Sequence, residues 1–442
     1  MRTRVFLGLL LVLLISGTAF ARVEVEFWHA MGGHNMEIVN GLVEKFNASQ
    51  DKVWVTAQMT GTYDDTLQKL QAAVQTGTAP HIVQVYEIGS QVMIDSGIIM
   101  PVEVLGKEIA KDLDFDWDKF IPPVKSYYTI NGVMHSMPFN SSTPLFYYNR
   151  DAFVEVGLDP NKPPTTFEEI MDYSRKLTIK DDRGNIERYG LTMATYGWFV
   201  EQIIANQGAL YANNDNGRTA RATEILWNGE AGVRLATWWK QMVDEGLLLN
   251  PGRSTDAAKQ AFLSGRAAMI LESSAQITNF TLHAQERGYD LGTAFIPCPG
   301  DVDRNGVIIG GASLWVIADH PEEELKGAWE FLKWLTEAEQ QAHWFKNTGY
   351  LPATKASVEL VMNERFFAES PNHVTPFLQL LMTKVDYPTR GALIGGFPEI
   401  RSIAEETIEE ILLGRATVQE ALDKGVARAN RVLAEYNAMF AD

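Results

Sequence analysis

Between Pro138 and Pro144 the chain sets three adjacent hydroxyls, Ser141, Ser142 and Thr143, ahead of an apolar, β-rich run from Leu145 to Tyr148. Proline removes a backbone donor and biases its predecessor to extended geometry, so Asn140 to Thr143 are expected to form a rigid extended segment that aims hydroxyls at something. No catalytic base stands beside them in sequence. Hydroxyls in that setting suit holding a polar ligand better than attacking one.

Other candidate ligand groups lie at loops that adjoin core elements. Glu87 follows the apolar run Ile82 to Tyr86, where a strand-end carboxylate could accept hydrogen bonds from ligand hydroxyls; a structural ion pair or a helix-cap neighbour explains it as readily. Tyr63, in Gly61-Thr-Tyr-Asp64, could line a cleft or be an ordinary loop tyrosine. Ser273, in Glu272-Ser-Ser-Ala275, could cap a helix, offer a hydroxyl to an anion, or do both. Gly310 and Gly311 precede a strand, where the missing Cβ would let backbone N–H groups approach a ligand, or would mark a β-bulge. Tyr350 leaves a turn, Asn347-Thr-Gly-Tyr350, and Arg401 follows a glycine-proline loop. A guanidinium there could fork onto a phosphate or carboxylate, or serve a surface ion pair. Together these are uncharged hydroxyls, backbone donors, one guanidinium and one carboxylate. The set fits a small polar anion that also carries hydroxyls.

Enzymatic signatures are missing. There is no GxSxG elbow, HExxH pair, Walker loop or GxGxxG, and the eight histidines form no zinc-like spacing. No metal or cofactor is expected.

The elements that must position these groups alternate. Val23–Trp28, Val53–Ala57 and Ile82–Tyr86 are predicted strands; residues 36–46 and 63–75 between them carry helical apolar spacing. That order implies a largely parallel sheet covered by helices. Thr166 with Glu169 forms a capping box for a helix through Leu177. Residues 231–242 and 254–263 read as helices, and 268–271 and 313–317 as strands. Pro321 opens a helix to Leu335, and Arg401 to the terminus reads as one helix. More than one α/β domain is implied, with Met137–Asn149 crossing between lobes and Pro297–Gly300 crossing back. Ligands in such folds sit at strand ends between domains.

Residues 1–21 read as a secretory signal peptide: Arg2 and Arg4, an apolar stretch from Val5 to Ile15, and Ala19-Phe-Ala21 as the cleavage site. Arg22 follows instead of a cysteine, so lipid attachment there is excluded and export to a bacterial periplasm is expected. The lone Cys298 makes no internal disulfide. The net charge is −18, and removal of Arg2 and Arg4 leaves −20. So acidic a chain without a basic block is a poor partner for nucleic acid or an anionic membrane.

Six strings in order, GTYDDTL, QVYEIG, PFNSSTP, IIGGASLW, TGYLP and PEIR, carry a resemblance that spans nearly the whole mature chain. The chain resembles the periplasmic sn-glycerol-3-phosphate-binding proteins of bacterial ABC importers, within extracellular solute-binding protein family 1. The resemblance implies an α/β, two-lobed periplasmic binding protein fold (type II, maltose-binding-protein-like) with hinge strands between the lobes. Expected boundaries are a signal peptide 1–21, lobe 1 in 22–145 plus 292–338, and lobe 2 in 146–291 plus 339–442. It implies ligand contacts at Tyr63, Glu87, Ser142, Ser273, Gly311, Tyr350 and Arg401. In that reading Ser142, Ser273, Gly311, Tyr350 and Arg401 hold the phosphate while Glu87 and Tyr63 face the glycerol end. The implied partners are sn-glycerol-3-phosphate or a related glycerophosphodiester and inner-membrane ABC permease subunits, for a monomeric protein without catalytic activity. A glycerophosphocholine or oligosaccharide binder, or an exported phosphoester hydrolase, are the alternatives. Departures from the family pattern are Glu272-Ser-Ser-Ala in place of Ala-Ser-Ser-Gly, and Phe167 and Gln207 where tryptophans are expected. Those two positions are expected in the cleft wall, where they would leave room for a larger ligand.

Overall fold

The computed structural model describes residues 22–440, so the expected signal peptide lies outside the described residues. The chain builds two six-stranded sheets, each covered by helices. In the first sheet the strand order is Val53–Met59, Val23–His29, Ile82–Tyr86, Ala312–Ile317, Ile99–Met100, with Met137–Pro138 also paired to Ala312–Ile317. The first three strands are parallel, as the β-α-β-α-β order requires, and Ala312–Ile317 runs antiparallel against Ile82–Tyr86. The second sheet runs Leu248–Leu249, Ile186–Thr192, Ala267–Ser273, Pro144–Asn149, Leu291–Ala294, with Ile179–Lys180 on Ile186–Thr192. Here Pro144–Asn149 is antiparallel to both neighbours. Each sheet is therefore mixed: in both, the strand next to a passage between the lobes, Ala312–Ile317 in the first and Pro144–Asn149 in the second, runs antiparallel to its neighbours.

Local chemistry sets the element starts. Thr62 and Asp65 form a reciprocal capping box, which makes Tyr63 the first residue of the helix Tyr63–Thr76. The expected box at Thr166 and Glu169 opens Phe167–Leu177. Pro144 begins its strand, the position where a missing N–H disturbs a ladder least. The expected single C-terminal helix is instead two, Phe397–Leu412 and Val418–Ala438; Gly414 at φ +67 ends the first and Thr417 caps the second.

Strand pairing shifts the expected lobe boundaries. Pro144 and Leu145 lie in the second sheet, since Pro144 pairs with Ser273 and Leu145 with Glu272. Leu291–Ala294 also stays in the second sheet. Pro297–Gly300 does not cross back: Cys298 bridges Thr165–Phe167 and Pro297 accepts from Asn206, both in the second lobe. The return lies further on, between Ile308, which exchanges two hydrogen bonds with Gln202, and Ala312 in the first sheet. Residues 339–361, expected in the second lobe, bury Trp344, Phe345, Val358 and Val361 in the cluster that holds Phe27, Phe46 and Trp329 of the first. A third passage, not foreseen, lies between Val361 in that cluster and Asn372, whose Nδ2 donates to Leu291 O at 2.9 Å in the second sheet.

Candidate functional site

The extended segment Asn140–Thr143 runs through the middle of the site, and backbone hydrogen bonds tie the other loops to it. Ser142 N–H donates to Gly310 O at 3.0 Å, and Gly310 N–H returns the bond to Ser142 O at 2.8 Å. Leu351 N–H donates to Ser141 O at 2.7 Å, which holds Tyr350 alongside. Ser274 N–H donates to Thr143 O at 2.8 Å, which holds Ser273 there. Asn140 Nδ2 donates to the Tyr63 hydroxyl at 2.7 Å, and its Oδ1 accepts from Gln84 Nε2 at 2.7 Å. Glu87 N–H donates to Gly311 O at 3.0 Å. Pairing thus brings six of the seven expected residues around one segment, although they are spread over nearly 300 positions of sequence.

Arg401 reaches the same place from the helix Phe397–Leu412 in the second lobe. Its Nη2 donates to Glu87 Oε1 at 2.8 Å, across the cleft from the first lobe. Its Nε and Nη2 also hold Glu201 Oε1 and Oε2 at 2.7 and 3.0 Å. Arg401 and Glu87, expected at opposite ends of a ligand, are therefore in direct contact. All three groups are buried, Arg401 and Glu87 at 5 % exposure and Glu201 at 4 %. Arg401 Nη1 and Glu87 Oε2 take no partner among the described residues. Glycine at 197 lets the helix Gly197–Asn206 approach: a Cβ there would lie 2.3 Å from Arg401 Cγ.

The electrostatics follow from burial. Desolvation lowers the Arg401 guanidinium, but Glu201 and Glu87 outweigh it and hold it well above its ordinary value. Burial pushes the Glu201 carboxyl up to about 7 against the pull of Arg401. The Tyr63 hydroxyl is raised by burial, with Tyr350 and Glu87 adding to it, so it remains a neutral donor. Tyr63 stacks on Tyr86 with centroids 5.4 Å apart, and Tyr350 on Trp344 at 5.7 Å.

Ser273 caps a short turn: its Oγ accepts from Ala275 N–H at 3.2 Å. Beside it, Glu272 Oε1 accepts from Ser273 N–H at 2.7 Å, while Oε2 is buried without a partner. Burial raises the Glu272 carboxyl to about 7 from 4.5. The folded state therefore holds a proton that the unfolded chain releases near 4.5. Stability from this group is fully present below about 4.5 and is lost as the pH rises through about 7. Glu272→Gln is accordingly expected to stabilise the protein at pH 8 by of order 2 kcal/mol and to leave it unchanged at pH 4. Urea unfolding at the two pH values checks this; equal stability of both forms at pH 8 would refute a strained carboxylate.

Several residues of the site were not singled out from sequence. Glu201 interrupts the helix Gly197–Asn206, every residue of which is buried; a lone acid inside Trp198-Phe-Val-Glu-Gln-Ile-Ile204 is the signal that could have found it. Trp198 packs on Gly310, where a Cβ would lie 2.4 Å from the ring, and its Nε1 is a buried donor without a partner. Ser141 Oγ and Thr143 Oγ1 are likewise unpartnered. By contrast, Phe167 and Gln207 are not cleft residues. Phe167 stacks on Trp238 at 4.4 Å inside the second lobe's core, and Gln207 donates to Ile203 O and Ala231 O. Their departures from the family pattern thus alter helix packing rather than ligand room.

A two-lobed α/β molecule whose polar loops converge between the lobes has known counterparts. The family model described as bacterial extracellular solute-binding protein matches residues 41–374. The sn-glycerol-3-phosphate-binding periplasmic protein UgpB of Salmonella typhimurium is 35% identical over 436 residues, 97% of each chain. The protein of the same name from Escherichia coli is 35% identical over 435 residues, again 97% of each. Among solved structures, UgpB from Mycobacterium tuberculosis in complex with glycerophosphocholine superposes with a TM-score of 0.78 at 21% identity, covering 93% of this chain and 98% of that one. The cyclic alpha-maltosyl-1,6-maltose binding protein from Arthrobacter globiformis gives 0.74 at 23% identity, covering 93% and 99%. These two structural likenesses bear on the fold alone. The family match over most of the chain, the near full-length relatives and the paired sheets agree: this chain belongs to the bacterial extracellular solute-binding proteins.

Proposed function

We propose that this chain is the periplasmic solute-binding component of an ABC importer, that it binds sn-glycerol-3-phosphate between its lobes, and that it delivers it to an inner-membrane permease. It acts as an exported monomer without chemistry of its own. The observation that carries the reading is the meeting of Arg401 and Glu87 across the cleft, each with one atom still free, beside the hydroxyls of Ser142 and Ser273 and the backbone of Gly311. Near full-length relatives named for the same ligand support it. In this arrangement Arg401 Nη1, Ser142, Ser273 and Tyr350 donate to phosphate oxygens. Glu87 Oε2 and Tyr63 take the glycerol hydroxyls, and Glu201 holds the guanidinium in position. Charge-assisted bonds of this kind are roughly twice as strong as neutral ones.

A glycerophosphodiester with a cationic headgroup is the second reading, and one observation favours it. The single buried guanidinium faces two carboxylates, Glu87 and Glu201, with Glu272 on the far side of Ser273. A zwitterion loses less in such a field than a dianion, and the aromatic faces of Tyr63 and of Tyr196, whose ring centroid lies 5.8 Å from Arg401 Cζ, suit a quaternary ammonium. Titration calorimetry with sn-glycerol-3-phosphate, glycerophosphocholine, inorganic phosphate and maltotriose decides between them. Either glycerol ester is expected to bind far better than phosphate, which offers Glu87 no hydroxyl and repels it. Phosphate binding as tightly as the esters would remove Glu87 and Tyr63 from the site, and maltotriose binding alone would overturn the reading.

Binding should also act on the lobes. Arg401 and Glu87 come from different lobes, so a ligand that engages both stabilises the closed arrangement. Solution X-ray scattering is expected to show a smaller radius of gyration at saturating ligand. An unchanged radius despite measured binding would place the ligand outside the cleft.

A further inference from the structure

The carboxylate of Glu272 is not accounted for by the fold. It sits at the end of the strand Ala267–Ser273, on the same face as Ile270, and is 6 % exposed. One oxygen takes the Ser273 N–H and the other has no partner. No cation lies within ion-pair distance among the described residues. Lys259, on the packed helix Thr255–Leu263, is engaged by Asp256 at 2.7 Å. The neighbouring strand presents Tyr147, whose hydroxyl donates to Ser273 O instead. The helix Ile277–Arg287 turns the apolar Ile277 and Phe280 to this side. Tyr350, at the cleft, has its hydroxyl raised chiefly by burial and further by Glu87 and Glu272, so the charge of Glu272 is felt within the site. A buried carboxyl with an unused oxygen and no counter-ion is stable only in its neutral form, or at a cost.

We infer that Glu272 sets the pH response of ligand binding: its carboxyl must take up a proton before an anion can be seated against Ser273. The inference rests on the reading of Ser273 as an anion contact. With the carboxyl ionised, ligand phosphate and Glu272 would be like charges in a poorly screened interior, on either side of one residue. With a proton on Oε2 the repulsion is gone, and Oε1 keeps its bond to Ser273 N–H. The proton comes from solvent, so binding takes up protons by the fraction of the carboxyl still ionised in the free protein, and affinity falls as the pH rises. Burial already holds the Glu272 carboxyl near 7, which places the response where a small change in acidity would act.

The test is calorimetry on the full mature chain and on Glu272→Gln, with sn-glycerol-3-phosphate and glycerophosphocholine at pH 6 and pH 8. The titration of the ligand itself is common to both proteins and cancels in their ratio. Between the two pH values the wild type is expected to lose about tenfold more affinity than the variant, the factor of one pKa unit. An identical pH slope in the variant overturns the role of Glu272 and leaves the ligand reading standing. No binding of either ester by the wild type at either pH overturns both. A second measurement needs no variant: glycerophosphocholine carries a fixed charge, so its binding heats at pH 7 in two buffers of different ionisation enthalpy report protons taken up by the protein. Uptake is expected, and equal observed heats in the two buffers, meaning none, would refute the inference. Proton uptake that persists in Glu272→Gln assigns it to another group, with the same consequence.

Discussion

Replacing Arg401 by alanine is expected to lower folding stability by about 3–5 kcal/mol, the range for breaking a buried ion pair by removing one partner. Glu201 would lose both of its bonds to the guanidinium and Glu87 its bond across the cleft, and both carboxylates would remain buried. Ligand affinity should fall with it, by roughly 2–5 kcal/mol, because the site loses its one cation. Urea denaturation gives the first number and titration calorimetry the second. A triple variant that also carries Glu201→Gln and Glu87→Gln separates the causes: it should recover much of the stability and none of the affinity. An Arg401→Ala protein within 1 kcal/mol of wild type that still binds ligand would show that the guanidinium serves neither purpose.

Gly311→Ala should be nearly as damaging for a different reason. Gly311 has φ +91, and an added Cβ would lie 1.9 Å from the Asn140 carbonyl oxygen. Backbone would have to move at the point where the two lobes are joined, and the Gly311 carbonyl that accepts from Glu87 N–H would move with it. A loss of about 3 kcal/mol or more is expected, with ligand binding abolished. Gly184→Ala is the control. It has φ +85 but meets nothing within 4 Å, so it reports backbone strain alone, about 1 kcal/mol. Equal losses in thermal or chemical unfolding of the two variants would mean that the close approach at Asn140 is without consequence.

The first lobe was legible because its signals are local. Alternation in Val23–Trp28, the helical apolar spacing over residues 63–75 and the run Ile82–Tyr86 each depend on near neighbours in sequence, as does the capping box at Thr166 in the second lobe, and the observed elements match them within a few residues. The seven candidate contacts were expected as loop residues; Tyr63 instead opens a helix, Arg401 lies inside one and Ser273 ends a strand. Their mutual geometry was not legible. That Ser142 bonds Gly310, that Leu351 bonds Ser141 and that Arg401 lies on Glu87 are pairings across up to 314 positions, and no local periodicity encodes them.

Residue types and their spacing by themselves determined an α/β chain of more than one domain and a set of polar residues expected to meet a ligand, because composition, hydrophobic period and turn chemistry are properties of short windows. Tertiary structure alone decided where the chain passes between lobes, because sheet membership is set by long-range pairing, Pro144 with Ser273 and Leu291 with Asn149, that no short window encodes. It alone decided that Phe167 and Gln207 serve packing rather than the cleft, since an aromatic or amide fits either environment until its neighbours are known. It alone gave Glu201 its part as the anchor of Arg401 and left Glu272 without a partner. The cost of a buried charge depends on what surrounds it, and that is fixed only when both lobes have folded.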